Sequence, residues 1–135
     1  MVEEFLQGSH ATIFMYGQTT SGKTYTMLGN SNTEGLILFS LKDIFQKLPV
    51  SASLSISYLE IYNEQINDLL QEGAVNLKIV DEQVVGLSQC AVHDIEDALD
   101  LLQMGECQRA YAEKKHHDHS SRSHTIFQVV YFLQT

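Results

Sequence analysis

The chain has no tryptophan and one proline, and it has 8 basic residues against 17 acidic ones. The resulting formal net charge of −9 argues against a surface built to hold nucleic acid or acidic lipid, because such partners need clustered lysine and arginine. No apolar run approaches the length of a membrane span; the longest, ATIFMY and TIFQVVYFL, are far too short. The opening MVEEFLQGSH lacks both the basic region and the apolar core of a secretory signal. Cysteine is also scarce. Cys90 and Cys107 have neither metal-binding nor redox spacing, so both are expected to be reduced, buried thiols. Repeats and low-complexity tracts are missing. A hydrophobic content of 44% over 135 residues is nonetheless enough for one packed domain.

What is present reads as alternating helices and strands. Met1 to Gln7 resembles a short amphipathic helix stopped by Gly8. Ala11 to Tyr16 is apolar without alternation, the pattern of a parallel strand buried on both faces. Lys23 to Leu28 can open a helix, and Gly29 to Gly35 reads as an exposed loop. Leu41, Ile44, Phe45 and Leu48 share one helical face, with Ser40 as the expected cap and Pro49 as the end. Leu54 to Tyr62 reads as a strand and Asn63 to Leu70 as one or two helical turns. NLKIV and LSQCAV are short strand candidates joined by DEQVVG. Ile95, Ala98, Leu99 and Leu102 form another stripe, with Asp94 at the N-cap and Gly105 near the helix end. Glu106 to His119 is polar and reads as a loop, and Thr125 to Leu133 as a last strand. Such alternation predicts an α/β layered domain with no internal linker.

The strongest chemical signal is Gly17-Gln18-Thr19-Thr20-Ser21-Gly22-Lys23-Thr24, a full match to G-x-x-x-x-G-K-[ST]. Glycines allow consecutive backbone N–H groups to converge on phosphates. Lys23 would place an ammonium on the β- and γ-phosphates, and the Thr24 hydroxyl would enter a magnesium shell. By average residue usage, a chance match arises in roughly one chain of this length in a few hundred. The expected ligands are therefore ATP and Mg2+.

Three longer blocks go beyond a generic phosphate loop. TIFMYGQTTSGKTYTM (12–27), SYLEIYNEQINDLL (57–70) and HSSRSHTIF (119–127) resemble, in order and spacing, the kinesin motor domain. DIFQKL and the segment around RAYAEK look most like the centromere-associated kinesins. The resemblance covers essentially the whole chain. It implies a P-loop NTPase-type three-layer α/β sandwich, of which residues 1–135 form a single partial domain, the central portion of the motor. Gly17 to Thr24 would hold the phosphates, and Tyr25 sits where the family packs a ring on adenine. Ser120, Ser121 and Arg122 match the first switch, which senses the γ-phosphate and positions the attacking water, with Ser121 beside Thr24 on the metal. Arg122 would pair with a glutamate just after the second switch.

No Asp-x-x-Gly second switch occurs in the chain, and the family domain is considerably longer. The strand carrying that switch would lie between Ala11–Tyr16 and Thr125–Leu133. The sheet is therefore expected to be incomplete, and the isolated chain to fold poorly because of unpaired strand edges. The implied function is the ATP-binding portion of a microtubule motor that couples ATP hydrolysis to movement. Its location would be the cytoplasm and cytoskeleton, without nucleic acid or membrane insertion, and dimerisation through a stalk is left open. The alternative is a truncated or degenerate segment that binds nucleotide weakly and does not move. A small GTPase should show Asn-Lys-x-Asp, which is missing, and a P-loop kinase would not carry SSRSH beside a strand.

His116, His117, His119 and His124 crowd around Asp118. Their spacing fits no standard zinc pattern, so solvent-exposed imidazoles are expected in preference to a metal site. His117 stands where the family usually has asparagine, and Leu38-Phe39 where it typically has Pro-Arg.

Overall fold

The computed structural model describes residues 1–133 as two compact units, one built on Met1–Ala52 and one on Ser53–Phe132.

In the first unit, α1 (Val2–Leu6) is followed by an extended segment, then α2 (Lys23–Leu28) and α3 (Leu36–Lys47). The apolar stripe of α3 puts Leu41 and Ile44 in the interior. This helix starts earlier than the stripe suggests. Gly35, extended, is its N-cap, and Ser40 lies inside it. Lys47 closes the helix and reaches both Asp43 and Glu3, tying α3 to α1 through exposed ion pairs.

Ala11–Tyr16 forms no strand. Phe14 is 77% and Tyr16 90% exposed, which overturns the expectation of a strand buried on both faces. An unalternating apolar run becomes such a strand only when neighbours pair with both of its edges, and no described strand pairs with this one. The Phe14 and Tyr16 rings instead stack on each other, with centroids 6.4 Å apart.

The second unit is organised around β1 (Ala52–Tyr62), whose residues 54–60 are buried without a break. It pairs antiparallel with β2 (Gln65–Asp68) near its end and with β5 (Cys90–Val92) near its start, and it also pairs with β6 (Ser123–Leu133). Leu54, Ile56, Tyr58 and Leu59, with Leu69, Val92 and Ala98, are the buried hydrophobic residues of this unit.

Asn63–Leu70 is not helical. Asn63 and Glu64 both take positive φ (50° and 61°) and form a two-residue turn that sends the chain back as β2. Ile66, Leu69 and Leu70 imitate helical spacing over too short a segment to outweigh that turn. DEQVVG is likewise a turn plus a strand. Asp81 and Glu82 have positive φ, and β3 (Lys78–Val80) pairs with β4 (Gln83–Val85) as a separate hairpin.

The long helix α4 (Ile95–Lys115) begins as expected at Asp94, whose carboxylate accepts from the Asp97 amide at 2.8 Å. It then continues ten residues past Gly105, through most of the segment expected to be loop. ECQRAYAEKK is rich in good helix formers, so propensity alone permits this. The helix lacks an apolar stripe there because Glu106 and Arg109 meet polar groups of β1, the Tyr58 hydroxyl and the Glu60 carboxylate. Among the described residues, no helix is long and apolar enough to cross a membrane. Cys90 is half-buried, but Cys107 is exposed on α4 rather than buried; both are free thiols.

Candidate functional site

Residues 17–24 lie together at the junction of the extended segment and α2. The loop closes tightly, with the Ser21 amide donating to the Gln18 carbonyl at 3.1 Å. A Cβ on Gly17 would sit 2.5 Å from Ser21 Oγ, so a larger residue there would force that hydroxyl to swing away. Gly22 caps α2 in the left-handed region, φ 94°, where glycine carries no steric penalty. Lys23 opens the helix and folds back over the loop. Its Nζ donates to the carbonyls of Gly17 at 2.6 Å and Gln18 at 2.8 Å. An ammonium has three N–H donors, so one remains for an anion at the loop. Gln18, Thr19, Thr20 and Ser21 are exposed; Thr20, at φ 69°, donates its hydroxyl to the Thr19 carbonyl. Thr24 and Tyr25 are exposed on α2, with Tyr25 at 51%. The helix has only six residues, so the Lys23 ammonium, rather than a helix dipole, is the group suited to phosphate.

The residues expected to form the first switch lie in the second unit. Ser120–Arg122 form a single 3-10 turn between α4 and β6. Ser120 Oγ donates to Glu113 of α4 at 2.7 Å, and Ser121 Oγ donates to the Asp118 carbonyl at 3.0 Å. Arg122 is exposed and has the Asp118 carboxylate 3.6 Å from its guanidinium. Thr24 and Ser121, both expected on a metal, belong to different units.

The residue before this turn behaves unlike its histidine neighbours. His116, His117 and His124 are exposed, but His119 is 3% exposed, which corrects the expectation of a solvated cluster. Its Nε2 lies 2.7 Å from Oε1 of Glu60, itself 2% exposed on β1. An ionised carboxylate only accepts, so Nε2 carries the proton in this contact. Tyr62 lays its ring over the imidazole, with centroids 4.1 Å apart. Among the described residues, His119 Nδ1 has no hydrogen-bond partner, and no group of three or more His, Cys, Asp or Glu is placed to hold a metal.

Glu60 has a second partner from the helix. Arg109 Nε donates to it at 3.5 Å, while Nη1 donates to Glu106 at 3.3 Å. Glu106 also accepts from the Tyr58 hydroxyl. Burial works against the Arg109 charge, but Glu106, Tyr58 and Glu60 outweigh it and hold its pKa above the ordinary value. Burial, reinforced by the Glu106 acceptor, also raises the Tyr58 phenol. The network Tyr58–Glu106–Arg109–Glu60–His119 thus joins β1, α4 and the start of the switch turn. Sequence reasoning placed His119 only in a solvated cluster and gave the other four no role. The available signal was Glu60 itself, a lone acid within the otherwise apolar strand SYLEIY.

A family profile of the kinesin motor domain matches residues 1–133. The chain belongs to the kinesin motor family. Kinesin-like protein KIN-7N of Arabidopsis thaliana is 40% identical over 139 residues, which cover 96% of this chain and 17% of that protein. Centromere-associated protein E of Homo sapiens is 42% identical over 142 residues, covering 96% of this chain and 5% of that protein. The chain therefore spans less than a fifth of either relative. It superposes with a TM-score of 0.89 on a fast kinesin, 32% identical, whose structure was described for its implications for ATPase mechanism and interactions with microtubules. That match takes in 96% of this kinesin chain and 41% of the other. The fold is that of a kinesin motor domain, mixed α/β, and covers part of it.

Proposed function

We propose that this kinesin chain is the ATP-binding portion of a microtubule-based motor, in which Mg-ATP hydrolysis is coupled to movement along the track. The observation that carries this reading is Lys23, held over its own loop with one donor left for a phosphate oxygen. In this reading, residues 17–24 grip the phosphates through backbone amides and the Lys23 ammonium, and Tyr25 faces the base. Thr24 and Ser121 supply hydroxyl ligands to magnesium, whose chemistry is to neutralise phosphate charge. Ser120, Ser121 and Arg122 sense the terminal phosphate and order the attacking water. The setting is the microtubule cytoskeleton of the cytoplasm. A stalk outside the region described would provide any dimerisation.

Family membership and the likeness to a fast kinesin support this reading. The test is ATP turnover by the protein with and without polymerised tubulin. Stimulation by microtubules is expected. Bound nucleotide with no stimulation at any tubulin concentration would favour the non-catalytic alternative.

A further inference from the structure

The mechanism above uses the switch serines but not the buried groups directly behind them. A carboxylate on a central strand is costly to bury unless its charge is compensated and its oxygens are bonded. Glu60 has two partners that are far away in sequence, and both reach the same oxygen, Oε1. Arg109 supplies charge from α4, and His119 supplies an N–H from the residue that leads into the switch turn. Tyr62, two residues along the same strand, sits against the imidazole with its ring tilted by 38°. The turn itself is short. The His119 amide bonds to the His116 carbonyl at 3.0 Å and the Arg122 amide to the His119 carbonyl at 3.2 Å. Fixing His119 therefore fixes the start of the turn that presents Ser120, Ser121 and Arg122. Glu113 holds Ser120 from the same helix, but at the surface, where the bond competes with water.

We propose that Glu60 is a positioning residue for the switch segment: its buried carboxylate, balanced by Arg109, pins His119 and so sets where Ser120–Arg122 stand when nucleotide binds. The proposal rests on the nucleotide-binding reading of the preceding section. It makes β1 and α4 the rigid platform of the switch, with His119 as the joint between platform and moving part.

The test is residue-resolved amide hydrogen exchange on the wild-type protein and on Glu60→Asp and Glu60→Gln. Glu60→Asp keeps the charge for Arg109 but draws the carboxylate back from His119 by one methylene. Without nucleotide, both variants should speed exchange at the His119 and Arg122 amides by about tenfold, the loss of one charge-assisted hydrogen bond. Exchange at the β1–β5 pairing around Leu54 should stay near wild type. Adding magnesium and a slowly hydrolysed ATP analogue should slow exchange at residues 17–24 in all three proteins. At His119 and Arg122 it should do so fully only in the wild type. Unchanged exchange at His119 and Arg122, or an equal rise at Leu54, overturns the positioning role. No protection of residues 17–24 in the wild type would instead sink the nucleotide-binding reading, independently of the comparison made without nucleotide.

Discussion

The Tyr58 ring lies against the backbone of Gly105 on α4, so closely that a Cβ at Gly105 would overlap the ring edge, with Tyr58 Cε1 only 2.6 Å away. This contact lets α4 approach β1 closely enough for Glu106 to meet the Tyr58 hydroxyl and Arg109 to reach Glu60. On its other side, Tyr58 meets Phe127 of β6 edge-on, with centroids 5.3 Å apart.

Gly105→Ala should therefore destabilise the protein although alanine is the better helix former. Propensity favours alanine by about 1 kcal/mol, but overpacking against a ring that cannot retreat costs about 1–3 kcal/mol. A lower melting temperature for Gly105→Ala is expected, with the loss reduced in Tyr58→Leu/Gly105→Ala. A raised melting temperature in the single variant would contradict the contact.

Asp94→Ala removes the side chain that satisfies the Asp97 amide at the start of α4. The expected loss is about 1 kcal/mol, read as a shift in urea midpoint without a change in slope. Asp94→Asn should recover most of it.

The Tyr58 phenol is raised above its ordinary 10.0 by burial and by Glu106. In the unfolded chain this phenol ionises first as pH rises, so the folded state then holds the extra proton. Its stability contribution is complete below pH 10 and falls as the pH climbs towards the folded value. Tyr58→Phe should flatten the alkaline loss of stability, measured as urea midpoints between neutral pH and the strongly alkaline range. An unchanged alkaline slope would show that Tyr58 ionises alike in both states.

Lys23→Ala should weaken Mg-ATP binding at least about tenfold, since a hydrogen bond to a charged group contributes roughly 1.5–3 kcal/mol. Titration with a fluorescent ATP analogue measures this. The melting temperature should change little, because the two carbonyls that Lys23 serves lie in a largely exposed loop. Equal affinity in wild type and variant would refute the role of Lys23.

Local chemistry was legible where it acts within a few residues. The glycine-bounded loop before α2, the Asp94 cap and the apolar stripe of α3 are short-range patterns, and they stand where the sequence places them. Asn63–Glu64 was misread because helical spacing and a tight hairpin both suit a short segment with Ile66, Leu69 and Leu70. The choice lay in two positive φ values. The second half of α4 was misread for a different reason. A helix face that buries against a glutamate and a tyrosine hydroxyl carries arginine and glutamate, so it shows no apolar period.

By itself, the sequence determined membership of the kinesin motor family and offered the glycine-bounded loop and the SSRSH motif as candidates, because each is carried by residues adjacent or nearly adjacent in the chain. Only tertiary structure decided that Ala11–Tyr16 takes no strand form and that one histidine of four around Asp118 is buried. It alone also brought Glu60, Arg109 and His119 together from three elements. The physical reason is that edge pairing and charge compensation depend on which groups meet in space. Glu60 and His119 are 59 residues apart and share a proton contact of 2.7 Å only once β1 and the switch turn are in place.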